Sequence, residues 1–198
     1  NQYFAMGEWE KSAAWYHRFY NHQNPSGLLH DRYSSMTYCA RALRRVNHVQ
    51  DAIKADNSAM FQVPRWADAY IGMGENMMLL QHFPEAEHWL KLALQMEPPD
   101  RIGFLNQLDY TFRPQFLLGG CYMELGRYAD AVEAYEKALE WRPLDKMALE
   151  FRDAAQQALA YTERSTALAT VASDMPLDQL LEMGRNGWKD EMAHQSVR

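Results

Sequence analysis

The chain has 198 residues, 47% of them hydrophobic, with only 10 Gly and 8 Pro. That is enough apolar material for a sizeable core in one or two domains. The formal net charge of −6 argues against a nucleic-acid surface, and no apolar run approaches the ~20 residues that cross a bilayer. No stretch reads as a secretory signal. The two cysteines, Cys39 and Cys121, lie on helix faces far apart in sequence. They are expected to be small buried thiols in a reduced, cytoplasmic setting.

Residues 1–24 read as half of a helical hairpin. Gln2 to Met6 look like the last turn of a first helix, and Gly7-Glu8 is the turn into a second. The chain thus begins inside a unit and reads as a piece of a longer polypeptide. On the second helix, Trp9, Ser12, Tyr16 and Phe19 recur at helical spacing. Asn24-Pro25-Ser26-Gly27 is a loop signal.

Residues 30–64 give the next pair, with Asp31 as a candidate cap of its first helix. Tyr33, Met36, Cys39, Ala40 and Leu43 form the apolar stripe, Val46-Asn47-His48 the turn, and Ala52, Ala55 and Ala59 the second helix before Pro64. Residues 67–98 repeat this with Tyr70, Met73-Gly74 and Met77, then Phe83, Ala86, Leu90, Ala93 and Pro98. Ala52 and Ala86 stand 34 residues apart; Ala86 and Ala131 stand 45 apart, which places an insert between Pro98 and Phe112.

Residues 112–145 are the most regular stretch. Leu118-Gly119 precedes Tyr122, then come Gly126, Ala131, Tyr135, Ala138 and Pro143. Gly119 and Ala131 are small where two helices cross closely, and Tyr122, Tyr128 and Tyr135 fill the space between. Pro143 stops the second helix. Residues 146–169 lack Gly and Pro and read as one capping helix. Residues 170–198 read as a short helix, Leu177 to Met183 with Asp174 as its cap, and a flexible tail carrying Trp188.

The spacing Leu-Gly, Tyr, Gly, Ala, Tyr, Ala, Pro over residues 112–145 resembles a tetratricopeptide repeat. Gln115 stands at the family's Trp place and Tyr135 at its Phe place. The resemblance implies an all-α, right-handed α-solenoid of antiparallel helix pairs with a C-terminal capping helix, spanning residues 1–169.

No chemistry-bearing constellation accompanies it. The sequence holds no glycine-rich phosphate loop, HExxH, CxxC, GxSxG or Asp-x-Asp. His82 and His88 stand six apart, off a common helix face. Neither a catalytic group, a metal nor a cofactor is expected within these residues.

Recognition is the better expectation, because the first helices of stacked pairs line a concave face. The residues expected there are Arg41, Arg44 and Arg45, then Asp68, Ile71, Glu75 and Met78, then Arg113, Phe116, Met123 and Glu124. They would form a mixed groove, basic at one end, for a protein or peptide partner. Tetratricopeptide domains that hold chaperone tails use a Lys/Asn/Arg clamp. Here Thr37, Arg41 and Gly72 fall where that pattern needs Lys and Asn, so such a clamp is not expected.

A second resemblance rests on the inserts. Pro64-Arg65-Trp66-Ala67-Asp68-Ala69, then Pro98-Pro99-Asp100, Phe104 and Tyr110-Thr111-Phe112-Arg113, are similar to the helical-repeat regions attached to family 2 glycosyltransferase domains. Asp68 replaces the usual Glu, and Trp66 is larger than typical. The resemblance implies a non-catalytic arm of a larger sugar-transferring enzyme. Such an arm would bind an acceptor protein or pair with a second copy of itself, with Arg65 and Arg113 tying helix ends together. The alternative is a stand-alone adaptor or assembly scaffold.

Overall fold

The computed structural model describes residues 2–21, 29–96, 108 and 110–174. The expected helix at Leu177–Met183, the Trp188 tail, the loop at Asn24–Gly27 and most of the insert after Pro98 lie outside these. The chain falls into two compact units, residues 1–156 and 157–198.

In the first unit the helices are α1 (Gln2–Ala5), α2 (Trp9–Asn21), α3 (Leu29–Arg45), α4 (Val49–Gln62), α5 (Ala67–Leu79), α6 (Phe83–Ala93), α7 (Phe112–Glu124), α8 (Tyr128–Trp141) and the start of α9 (Lys146–Asp174). Among the described residues there is no strand. Successive helices pair as hairpins, α1 with α2 through α7 with α8, and each hairpin packs on the next.

The four hairpin turns are the same structure. Gly7, Asn47, Gln81 and Gly126 all have positive φ, between 60° and 75°. In each, that residue's N–H bonds the carbonyl three back, and the next N–H reaches five back, as in Gly126 to Met123 and Arg127 to Tyr122. This double bond set caps the last carbonyls of the first helix. Glycine adopts the left-handed conformation without strain, whereas Asn47 and Gln81 hold it at a cost.

Small residues let the paired helices approach. A Cβ on Gly119 would lie 2.5 Å from the Tyr135 ring, and one on Gly74 would lie 2.7 Å from Leu90. Ala40, Ala52, Ala86 and Ala131 are fully buried at the same crossings. The main core joins Ile71, Leu90, Leu118, Tyr122 and Tyr135. Tyr16 and Tyr38 stack across α2 and α3, 5.5 Å apart. Phe19, at the place Ala138 holds in the last hairpin, is 42% exposed and stacks on Trp15 instead. Both cysteines are buried free thiols.

The start of α5 is capped from a distance. Trp66 at its N-cap supplies no side-chain bond. The Ala69 N–H donates to the Tyr33 hydroxyl at 3.2 Å, and the Ala67 N–H donates to the Tyr110 hydroxyl at 3.3 Å. Tyr33 of α3 and Tyr110, just ahead of α7, thus satisfy donors that a helix start leaves open.

Two expectations need correction. Asp31 lies inside the first turn of α3, where its carbonyl accepts from the Ser35 hydroxyl, and is not the cap. The capping helix does not stop at 169. It continues to Asp174, so Ser173 and Asp174 belong to this helix. Residues 146–174 carry no helix breaker, and the first proline beyond is Pro176. Early α9 closes the first unit: Ala148 and Ala155 are buried, and Phe151 stacks on Tyr135. In the second unit, Thr162, Thr166 and Thr170 each donate a hydroxyl to the carbonyl four residues before.

Candidate functional site: a groove along the first helices

The three first helices α3, α5 and α7 lie side by side. Between them opens a groove of about 660 Å³, lined by Arg41, Arg44, Arg45, Glu75, Met78, Leu79, Arg113 and Leu117. The helical repeat explains the set. Positions 41, 44 and 45, positions 75, 78 and 79, and positions 113 and 117 each fall on one helix face.

The floor is an ion network spanning three hairpins. Arg44 Nη1 donates to Asp56 Oδ2 at 2.6 Å and reaches the Gly72 carbonyl and Asn76 Oδ1, each at 3.3 Å. Its Nε lies 3.1 Å from Glu75 Oε2. Asn76 Nδ2 donates to Asp56 Oδ2 at 2.9 Å. Arg113 Nη2 donates to Glu75 Oε1 at 2.5 Å. Asp56 and Asn76 are fully buried beneath, while Glu75 keeps 22% of its side chain exposed.

The two carboxylates respond oppositely to burial. For Asp56, desolvation is the largest effect, and Arg44 and Asn76 do not offset it; its pKa rises to about 7. Its Oδ1 has no hydrogen-bond partner among the described residues. For Glu75, desolvation also acts upward, but Arg113 and then Arg44 overcome it and hold the carboxyl below its usual value. Glu75 is a firm anion shared by two arginines.

Arg41 and Arg45 are placed differently. Arg41 lies 5.5 Å over the Tyr38 ring and Arg45 5.8 Å over Trp9. Among the described residues neither forms an ion pair. Met78, Leu117 and Leu79, the last 50% exposed, supply an apolar wall beside these cations.

The structure gathers six of the eleven residues expected on this face and puts five elsewhere. Ile71 is fully buried in the main core, because α5 is closed between α3 and α7 until its last turns. Phe116 stacks on Phe112 and meets Tyr135 and Phe151 at the end of the core. Met123 packs against the main core. Asp68 sits half-buried at the start of α5, and Glu124 is exposed at the end of α7, both outside the lining. Sequence reasoning missed Leu79, Leu117, Asp56 and Asn76. A signal existed for Asp56: the repeat register puts it where Leu90 and Tyr135 stand, so a carboxylate held a core position.

Comparison with known proteins bears on the fold. Residues 112–145 match the tetratricopeptide repeat family. No curated protein matches the chain in sequence. The first tetratricopeptide domain of human RPAP3 aligns with a TM-score of 0.57 at 20% identity, covering 67% of this chain and 96% of that one. The first such domain of Spaghetti, solved with the HSP90 peptide SRMEEVD, gives 0.56 at 19%, covering 65% and 93%. MamA gives 0.57 at 17%, covering 89% of this chain and 92% of its own. The fold is therefore a tetratricopeptide-like α-solenoid. Among the described residues no helix is long and apolar enough to cross a membrane.

Proposed function

We propose that this chain is a protein-interaction module that holds an extended segment of a partner protein in the groove between α3, α5 and α7. The carrying observation is that three successive first helices converge on one open groove with both charged and apolar walls. Tetratricopeptide-like stacks present such concave surfaces to partners, and Spaghetti was solved with a peptide bound. The clamp that holds chaperone tails is not part of this reading. Gly72 offers no side chain, and the space beyond its Cα is filled by Asp56.

A displayed library of random 12-residue peptides tests it. Peptides selected on the wild-type chain should lose at least about tenfold in affinity for Leu79→Asp, which puts an unpaired charge on the apolar wall. Leu79 is half exposed, so the fold should survive. Equal affinity for both chains would move the binding surface elsewhere.

The finer reading, the arm of a family 2 glycosyltransferase, names an acceptor protein or a second copy as the partner. Its support is that Tyr110 and Arg113 of the Tyr-x-x-Arg element both anchor α5, through Ala67 and Glu75. These are packing roles that an adaptor or scaffold would share. Sequencing the native polypeptide separates the two: an Asp-x-Asp in a parallel-sheet pattern before Asn1 supports the arm, and further 34-residue repeats support the adaptor.

A further inference from the structure

We propose that the groove takes an acidic-apolar segment and that Glu75 is a built-in competitor for its acid subsite. The proposal rests on the groove being the binding surface. Four arginines line it, against Glu75 in the wall and Asp56 below the floor. The chain as a whole carries −6, so this is a local reversal of sign. A partner carboxylate is drawn to such a place, and a basic segment is repelled.

The arginines divide by what already holds them. Arg44 is fixed from below by Asp56, Asn76 and the Gly72 carbonyl, so its guanidinium is positioned before a ligand arrives. Arg41 and Arg45 rest on aromatic faces and keep their charge available. Glu75 bridges Arg44 and Arg113 with one oxygen on each. Those are the donors that a ligand carboxylate entering beside Met78 and Leu117 would seek. An arriving acid therefore shares the two arginines with Glu75 or turns it aside. Leu79, Met78 and Leu117 require an apolar side chain next to that acid.

The library selection above provides the test, extended to three further proteins. Groove-dependent peptides should be enriched in Asp or Glu next to Leu, Ile or Phe. One fluorescein-labelled peptide from that set should bind Arg41→Ala/Arg45→Ala about tenfold more weakly. It should bind Glu75→Gln about threefold or more tightly, because a like charge is gone while an acceptor remains for Arg113. Thermal melts by circular dichroism confirm that each variant is folded, and Lys137→Ala, half exposed on α8 away from the groove lining, serves as an unrelated control with unchanged binding. Groove-dependent peptides without acids overturn the ligand class and leave the groove reading intact. Binding that ignores Leu79→Asp overturns the groove reading itself. Acidic peptides that bind folded Glu75→Gln more weakly overturn the competitor role, since Glu75 would then brace the arginines for the ligand.

Discussion

Asp56 occupies a position that its neighbours in the stack give to Leu90 and Tyr135. Only a residue without a side chain opposite makes room: a Cβ on Gly72 would lie 2.5 Å from Asp56 Oδ1. The buried carboxylate gains Arg44 and Asn76 but, among the described residues, leaves one oxygen without a partner, which is a costly arrangement. The cost has a pH signature. The folded pKa is raised to about 7 from the ordinary 3.8, with burial as the main cause. Between those values the folded state binds a proton that the unfolded state has lost. Its contribution to stability is complete below the unfolded pKa and is lost as pH rises through 7. The bound set by a shift of that size is about 4 kcal/mol. Asp56→Asn removes the titration. Chemical denaturation of both proteins from pH 5 to pH 8 should show the wild type losing stability relative to the variant as pH rises. Parallel curves would mean that Asp56 stays charged throughout. Comparing the pair cancels every other titrating group that the two proteins share.

The α7–α8 hairpin shows what one glycine does for an element. Gly119 faces the Tyr135 ring at a distance no Cβ tolerates, whereas a Cβ on adjacent Gly120 would meet the end of Met78 at 3.4 Å and the Tyr135 hydroxyl at 3.9 Å. Gly119→Ala should therefore destabilise by about 1–3 kcal/mol through overpacking, and Gly119→Leu should unfold the hairpin. Gly120→Ala should be neutral or gain up to about 1 kcal/mol from helix propensity. Circular dichroism melts of the three variants check the order; equal melts for both alanine variants would remove Gly119 from the crossing. This contrast was half legible in the sequence. The period of 34 marked Gly119, Ala131 and Tyr135 as one crossing, because side-chain size at repeat spacing reports backbone approach. The groove arginines were legible for the same reason, since helix faces follow from position alone. Ile71 was misplaced because position gives a face but not whether a neighbouring helix covers it. The Tyr33 and Tyr110 caps of α5 stayed hidden, because those partners are 36 and 43 residues away and no local pattern joins them.

On the scale of the whole molecule, hairpins that touch only their neighbours should share stability only with neighbours. The ion network complicates this in the first unit. Arg44, Asp56, Glu75, Asn76 and Arg113 belong to α3, α4, α5 and α7, so three hairpins meet in one polar cluster. Two outcomes follow for a lesion placed in the last hairpin. If packing between adjacent hairpins dominates, Gly119→Leu should expose the amides of α7 and α8 to fast hydrogen exchange. It should weaken protection in α5 and α6, which pack against α7, and leave α2, α3 and α4 near their wild-type protection. If the polar cluster makes the stack one cooperative body, protection should fall together in every helix from α2 to α8. The physical balance favours the first. α7 meets the cluster through the Arg113–Glu75 pair, whose side chains are both 22% exposed, and losing it leaves Glu75 still paired with Arg44. The contacts of α3, α4 and α5 around Asp56 do not involve α7 at all. Exchange that stays slow in α3 and α4 of Gly119→Leu is thus the expected result, and a uniform loss would show that the groove's charges bind the stack into a single folding unit.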